Sequence, residues 1–398
     1  MWRTNYCSCF VLFIQILSEV MRTKQKLQTR GRVSHSDLHR LSPGEHRKGR
    51  GAVSNPTGRF ETQSRESFDD GWENDRDVLD EASLINWHRE AARTIITKNA
   101  SPDISFDRSI NPYRGCEHGC VYCFARPSHA YLGHSAGVDF ERQLYFKHNA
   151  VDLLRKELSA RSYKAKPIAL GVNTDCYQPE ERRLRLTRAL LKTLSDFNHP
   201  VVILTKSALI RRDIDILSDM AERQLVSVGV SVTSLKPDLC RKMEPRAASA
   251  PLRIKTIRDL SAAGIPVTIM TAPMIPCLND MELEHLLLAG RKAGARSARY
   301  VLLRLPYELK DIFQEWLQAH FPDRAARVIN TLREMRGGKD YDADWHTRQR
   351  GEGIYADLIA ERFQKAVSRL GYTQSAAPLR SDLFRPPAKD DSQFAFEF

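Results

Sequence analysis

The sequence predicts an α/β protein built on a parallel sheet, and three observations carry that expectation. From residue 106 onward, short runs rich in Val and Ile alternate with amphipathic stretches of helical length. Gly264-Ile265-Pro266 reads as a helix stop followed at once by a strand start. The chain has 398 residues, 42% hydrophobic and 28% charged, which is enough to fill one large core or two smaller ones.

Taken in order, the predicted strands are Ser109–Tyr113, Pro167–Asn173, Val201–Thr205, Leu225–Val232, Pro266–Thr271 and Arg299–Leu305. The helices between and after them are Ala150–Leu158, Glu180–Leu194, Arg211–Glu222, Pro251–Ala263, Asp280–Ala293 and Lys310–His320. Strand–helix alternation implies parallel pairing through right-handed crossovers. Periodicity leaves open whether the sheet is flat and doubly wound or curled into a partial barrel. Glu81–Arg93 reads as a leading helix, so residues 76–320 form the expected core. Residues 321–398 read as a C-terminal extension: a helix, the loop 337–342, a helix near Tyr355–Leu370 and an extended tail. No internal repeat is evident.

Residues 1–75 read as a basic, mostly irregular arm. Its turn signals Gly49-Arg50-Gly51 and Asn55-Pro56 suit packing on the core. Cys9–Leu17 is apolar but far short of the ~20 residues that span a bilayer. It also lacks a signal-peptide cleavage pattern. Translation is therefore expected to begin at Met21, and the protein is expected to be cytoplasmic. The formal charge is +12, and residues 1–50 contribute ten Lys/Arg against three Asp/Glu. A basic arm of this kind either solubilises the chain or brings it to a polyanion such as nucleic acid.

The most informative run is Asn111–Pro127, which holds Cys116, Cys120 and Cys123 with Tyr122 just before the last cysteine. Thiolates at C-x3-C-x2-C spacing can converge on one metal centre, and iron–sulfur clusters are held by such thiolates. Three ligands leave one iron of a four-iron cluster open, and an open position marks a reactive site. Zinc is the alternative. It would need a fourth ligand, and His118 sits between two of the cysteines. Arg114 and Arg126 lie near these thiolates, either tuning a cluster or simply solvated.

The spacing with its aromatic resembles the signature of the radical S-adenosylmethionine (radical SAM) superfamily. The longer stretch 101–133 is similar to a bacterial subgroup related to spore photoproduct lyase. So are Lys48–Ala52, Asn55-Pro56, Arg59-Phe60-Glu61, Thr174–Pro179 and Ala272–Asp280. The resemblance implies a partial (β/α)6 TIM-like barrel, a [4Fe–4S] cluster on the three cysteines, and S-adenosylmethionine (SAM) as cosubstrate. It also implies an electron donor such as flavodoxin or ferredoxin, and a 5′-deoxyadenosyl radical that takes hydrogen from a substrate. Nucleic-acid repair or modification is one branch of that expectation. A small molecule or peptide is the other. An iron–sulfur sensor or scaffold without catalysis, or a zinc-binding nucleic-acid module, are the alternatives of a different class.

In a parallel barrel the chemistry sits past the C-terminal ends of the strands. Thr174 and Asp175 then follow the second strand as acceptors for the SAM ammonium. Cys176 beside them is a candidate hydrogen-atom donor, with a buried structural thiol as the plain alternative. Ser231, Thr233 and Ser234 end the fourth strand within reach of a ribose or carboxylate. Arg246 and Arg253 suit the methionine carboxylate, because a guanidinium fits it bidentately. Tyr122 joins the cofactor-binding set. Cys277 stands where related sequences commonly have glycine, and Cys240 reads as structural.

Overall fold

The computed structural model describes residues 49–61, 85–104, 106–374 and 378–387. The expected start at Met21 and most of the basic arm lie outside those residues.

The main sheet runs in the order β10-β9-β8-β7-β6-β3-β2. Its strands are β2 (Ile96–Lys98), β3 (Arg108–Ile110), β6 (Ile168–Leu170), β7 (Val201–Thr205), β8 (Val226–Ser231), β9 (Val267–Met274) and β10 (Ser297–Leu302). From β3 to β10 every neighbour is parallel, and only β2 runs antiparallel to β3. This order decides the question that periodicity left open. A doubly wound sheet reverses its strand order at a switch point, which sends helices to both faces. Here spatial order follows chain order without reversal. Right-handed crossovers then put every helix on one face, and the sheet curls around the other as a partial (β/α)6 barrel.

The connecting helices are α1 (Ala150–Leu158), α2 (Leu186–Asp196), α3 (Ile214–Glu222), α4 (Ala250–Ala262), α5 (Leu283–Lys292) and α6 (Leu309–His320). Three predicted helices begin with a break. Arg185, at φ 51°, separates α2 from a short turn at Glu181–Leu184. Residues Ala208–Asp213 and Asp280–Glu282 tighten into 3₁₀ turns before α3 and α5.

In α6, Leu309, Ile312, Phe313, Trp316 and Leu317 are buried. In α7 (Pro322–Glu334), they are Ala325, Val328, Ile329 and Leu332. Both sets follow the i, i+3, i+4, i+7 stripe of a helix with one buried face. Trp316 is fully buried, and its Nε1 donates to the Lys242 carbonyl at 3.0 Å. These helices share a core with Val121, Tyr122 and Cys120 of the cysteine loop. α8 (Ile354–Arg369) packs on α5.

The leading helix over Glu81–Arg93 is not formed where it is described. Asn86–Glu90 is instead strand β1, parallel to β5 (Gln143–Lys147), which pairs on its other side with β4 (Tyr113–Arg114). Trp87 lies edge-on to Tyr113 and His88 stacks on Tyr145, so both rings find partners only across this small sheet. The strand partner comes more than fifty residues later in the chain, beyond the reach of local periodicity.

Candidate active site

The cysteine loop leaves the end of β3, the first barrel strand, and is held from several directions. Cys116 N–H donates to the Phe140 carbonyl at 3.0 Å, and Val121 N–H to the Met243 carbonyl at 3.0 Å. Arg126 is a fully buried strut inside the loop. Its guanidinium donates to the carbonyls of Cys120 (2.9 Å), Gly119 (3.2 Å), Ala136 (3.2 Å) and Gly137 (2.8 Å), and pairs with Glu141. Arg114 is different. It lies half-exposed on β4 and pairs with Glu90 at 2.8 Å.

The described part of the N-terminal arm crosses directly over this loop. Gly51 and Ala52 donate their N–H groups to the Glu141 carboxylate at 3.2 and 3.0 Å. A Cβ at Gly51 would stand 1.7 Å from the Gly119 oxygen, so only glycine permits the crossing. Asn55 and Asp139 exchange hydrogen bonds at 2.9 and 3.0 Å, fixing the next turn of the segment.

Cys116 and Cys120 are buried and Cys123 is half-buried. Burial pushes the Cys116 thiol well up, and the negative charge of Asp175, Cys120 and Cys123 adds to the shift. Cys120 moves the same way, chiefly through burial. As bare thiols they stay protonated, and a cationic metal centre would have to displace the protons. Among the described residues no three His, Cys, Asp or Glu side chains converge tightly enough for a single metal ion. One zinc would need its sulfurs about 3.8 Å apart, from a Zn–S bond of ~2.3 Å in tetrahedral geometry. A cubane places each thiolate on its own iron corner, so three thiols of one loop can hold it without meeting at a single ion. His118, the fourth ligand zinc would recruit, is buried with Nδ1 3.4 Å from Asp175. Burial holds that imidazole neutral, with its pKa pushed down to about 4.

The strand ends bring most of the sequence-predicted residues to this face, with altered roles. The Asp175 carboxylate accepts from Tyr177 N–H (2.8 Å), Thr205 Oγ1 (2.8 Å) and Lys206 N–H (2.8 Å), and faces His118. Its acceptor directions are taken up, so it braces β6, β7 and the loop instead of standing open to an ammonium. Thr174 donates its hydroxyl to the Tyr113 carbonyl at 2.8 Å. Cys176 is fully buried in the main core behind the loop, where its charge would fall near Tyr113, Glu181 and Asp213. That position suits a structural thiol.

Arg246 pairs with Glu117 at 3.1 Å. Arg253 is buried against Glu244 and also binds the Ala248 and Ser231 carbonyls at 2.6 and 3.1 Å. Arg253 is thus spent on the scaffold, whereas Arg246 is part-exposed and bonds Glu117 through one Nη. Ser231 ends β8 half-exposed. Thr233 and Ser234 donate to Glu244 and Glu282, each at 2.7 Å. Tyr122 hydrogen-bonds Glu244 and approaches Thr233 at 3.3 Å, which ties the loop to the end of β8. Cys240 is buried with its thiol 3.3 Å from the Ser234 carbonyl. Cys277 sits at φ 61°, the left-handed region that makes glycine the common residue there.

Two site residues escaped sequence reasoning. Glu244 collects Tyr122, Thr233 and Arg253 in one buried node. Lys206, just past β7, carries its Nζ 5.6 Å from the Tyr122 ring centroid, and its charge draws the Cys120 thiol down. It makes no ion pair among the described residues. Only its place one residue beyond a predicted strand could have marked it.

The radical SAM superfamily model matches residues 110–289. A protein of uncharacterised function from Mycobacterium bovis is 36% identical over 253 residues, 63% of this chain and 74% of the relative. Another, from Methanocaldococcus jannaschii, is 30% identical over 222 residues, 56% of this chain and 79% of that one. Among solved structures, spore photoproduct lyase complexed with dinucleoside spore photoproduct aligns over 72% of this chain and 80% of its own. The TM-score is 0.48 and the identity 16%. The chain belongs to the radical SAM superfamily. As a member of that family it is an enzyme whose cofactors are a [4Fe–4S] cluster and SAM. No helix among the described residues is long and apolar enough to cross a membrane.

Proposed function

We propose that Cys116, Cys120 and Cys123 hold the [4Fe–4S] cluster and that the enzyme takes hydrogen from a substrate bound at the barrel mouth. The observation that carries this reading is the loop itself. Three cysteines on one braced loop lie past the C-terminal end of the first barrel strand. When bound, the cluster supplies the electron that splits SAM into methionine and a 5′-deoxyadenosyl radical. The chain's own residues supply everything around that step. Arg126 and Glu141 fix the loop from within. Asp175 orients His118 beneath it. Lys206 places positive charge next to Cys120, where it offsets thiolate and carboxylate charge. Tyr122, held by Glu244, presents an aromatic face at the loop's edge.

Flavodoxin or ferredoxin as reductant, a cytoplasmic location and nucleic acid as substrate class belong to the same proposal. The excess of basic residues supports the last of these. The test is anaerobic reconstitution of the parent and of Cys116→Ala, Cys120→Ala and Cys123→Ala. The parent should bind about four irons with matching sulfide and form 5′-deoxyadenosine with dithionite and SAM. Each variant should lose its iron and visible absorbance. A variant lacking all three cysteines that still keeps its iron would falsify the assignment.

A further inference from the structure

Past the end of β10, the last barrel strand, one arginine is left without a counter-charge. Arg304 is half-buried, and it is absent from every ion pair among the described residues. Its Nε is buried with no hydrogen-bond partner. One Nη makes a long contact, 3.4 Å, to the Tyr341 hydroxyl. Its Cζ stands 5.1 Å from the centroid of the Phe124 ring. Phe124 directly follows Cys123, so its Cα is ~3.8 Å from that of a cluster cysteine. The unpaired guanidinium therefore sits at the rim of the cysteine loop.

Its surroundings sharpen the point. Arg336 lies nearby, and burial together with the Arg304 charge pushes its pKa down. Arg336, however, is fixed by the carbonyls of Thr347 (3.0 Å) and Leu303 (2.9 Å). Asp342, whose charge acts on Arg336, is already engaged by Thr347 Oγ1 (2.6 Å) and Asp344 N–H (3.0 Å). Beside Tyr341 opens a cleft of about 390 Å³, lined also by Arg59, Tyr307 and Lys310. Two of its carboxylates are matched, Glu308 by Arg59 and Asp340 by Arg333. Phe124 is 43% and Tyr307 62% exposed.

A half-buried guanidinium without an anion is costly. It is most simply explained by a ligand that brings the anion with it. A guanidinium fork matches the oxygens of a phosphate bidentately. The exposed Phe124 ring next to it suits the planar base attached to that phosphate, and Tyr307, one face of whose ring is covered by Arg59 at 3.8 Å, offers a further exposed ring in the cleft. We propose that Arg304 anchors a phosphate of a single-stranded nucleic-acid substrate, with Phe124 and Tyr307 as flanking ring surfaces. The proposal rests on the reading that the cysteine loop carries the cluster.

The test uses the reconstituted full chain and a short fluorescent oligothymidylate at low salt, read by anisotropy. Arg304→Gln should weaken binding roughly ten- to a hundredfold, the loss of one charge-assisted contact. Arg304→Lys, which keeps the charge without the fork, should fall between. Phe124→Leu should also weaken it. With an uncharged methylphosphonate-linked oligomer, parent and Arg304→Gln should bind alike. The proposal is overturned if the parent does not bind oligothymidylate, if Arg304→Gln and Arg304→Lys bind as the parent does, or if the gap persists with the uncharged oligomer. Iron content separates the two readings. A parent without iron defeats the cluster assignment, whereas a parent with iron and no dependence on Arg304 defeats this inference alone.

Discussion

Glu141 is the residue whose loss should disturb the site most without touching a cysteine. Its carboxylate is fully buried and collects three donors: Gly51 N–H, Ala52 N–H and the Arg126 guanidinium. Glu141→Ala leaves the Arg126 charge buried without its partner, which costs about 3–5 kcal/mol. It also orphans two backbone donors at ~1–3 kcal/mol each, terms that overlap because one void can admit water. The expected loss is about 4–6 kcal/mol, a large part of the stability of an ordinary domain. Glu141→Gln keeps an acceptor and should lose roughly half of that. Urea denaturation under reducing conditions measures the loss, and brief trypsin treatment reports on the segment that Glu141 pins. Cleavage after Arg59, slow in the parent, should become fast in both variants. Arg126→Met combined with Glu141→Ala removes both charges together. The double variant should therefore be less destabilised than the sum of the singles, by about 2 kcal/mol or more. A loss below about 1 kcal/mol for Glu141→Ala, or strict additivity, would show that the pair does not hold the loop.

Two further outcomes follow from buried polar groups. Asp175→Asn keeps the shape but turns an N–H₂ toward donors that need an acceptor. Cluster loading should fall, stability should drop by ~1–3 kcal/mol, and SAM affinity should change only in step with loading. Normal loading with a selective loss of SAM binding, seen by equilibrium dialysis, would restore Asp175 as the ammonium acceptor. His129 and His199 are both buried, and desolvation pushes each from 6.5 down to about 4. The folded state thus binds fewer protons than the unfolded one between those values. The stability each imidazole contributes is complete above pH 6.5 and is lost as pH falls toward 4. The full shift corresponds to up to about 3 kcal/mol per histidine. Urea midpoints of the parent should fall steeply over that window, and His199→Gln should flatten the slope; a flat parent profile contradicts the assignment.

The barrel was legible because its strands are short apolar runs with Gly or Pro punctuation, and because each helix shows a single buried stripe. Val201–Thr205 and Ala150–Leu158 keep the predicted bounds for that reason. What failed was non-local. β1 forms only because β5 arrives to pair with it, and nothing between Glu81 and Arg93 announces that partner. The cysteines were equally plain, since spacing alone brings three thiols to one loop. The surrounding roles were not. Asp175 and Arg253 are chemically able to bind SAM, and sequence cannot show that His118, Lys206 and Glu244 claim them first. Proximity in the chain identified the right strand ends but could not say which side chains were already spent on one another.

The sequential strand order explains why so many of those side chains meet. Each strand of the barrel ends on the same face, so each contributes one fixed element beside the cysteine loop. β6 gives Asp175, β7 gives Lys206, and β8 gives Thr233. β9 gives Asn279, whose side chain spans the Thr233 and Pro273 carbonyls at 2.8 and 3.0 Å. The acids among these groups and their partners, Asp175, Glu244 and Glu282, are all turned to donors from neighbouring elements. The cations divide. Arg126 and Arg253 are consumed by the scaffold, whereas Lys206 and Arg304 make no ion pair among the described residues, and they lie near the rings of Tyr122 and Phe124 respectively. A fold that engages these three carboxylates internally and leaves two cations beside the cysteine loop favours anions there. On the proposed reading, Lys206 would face the cluster's negative charge and Arg304 an anionic substrate.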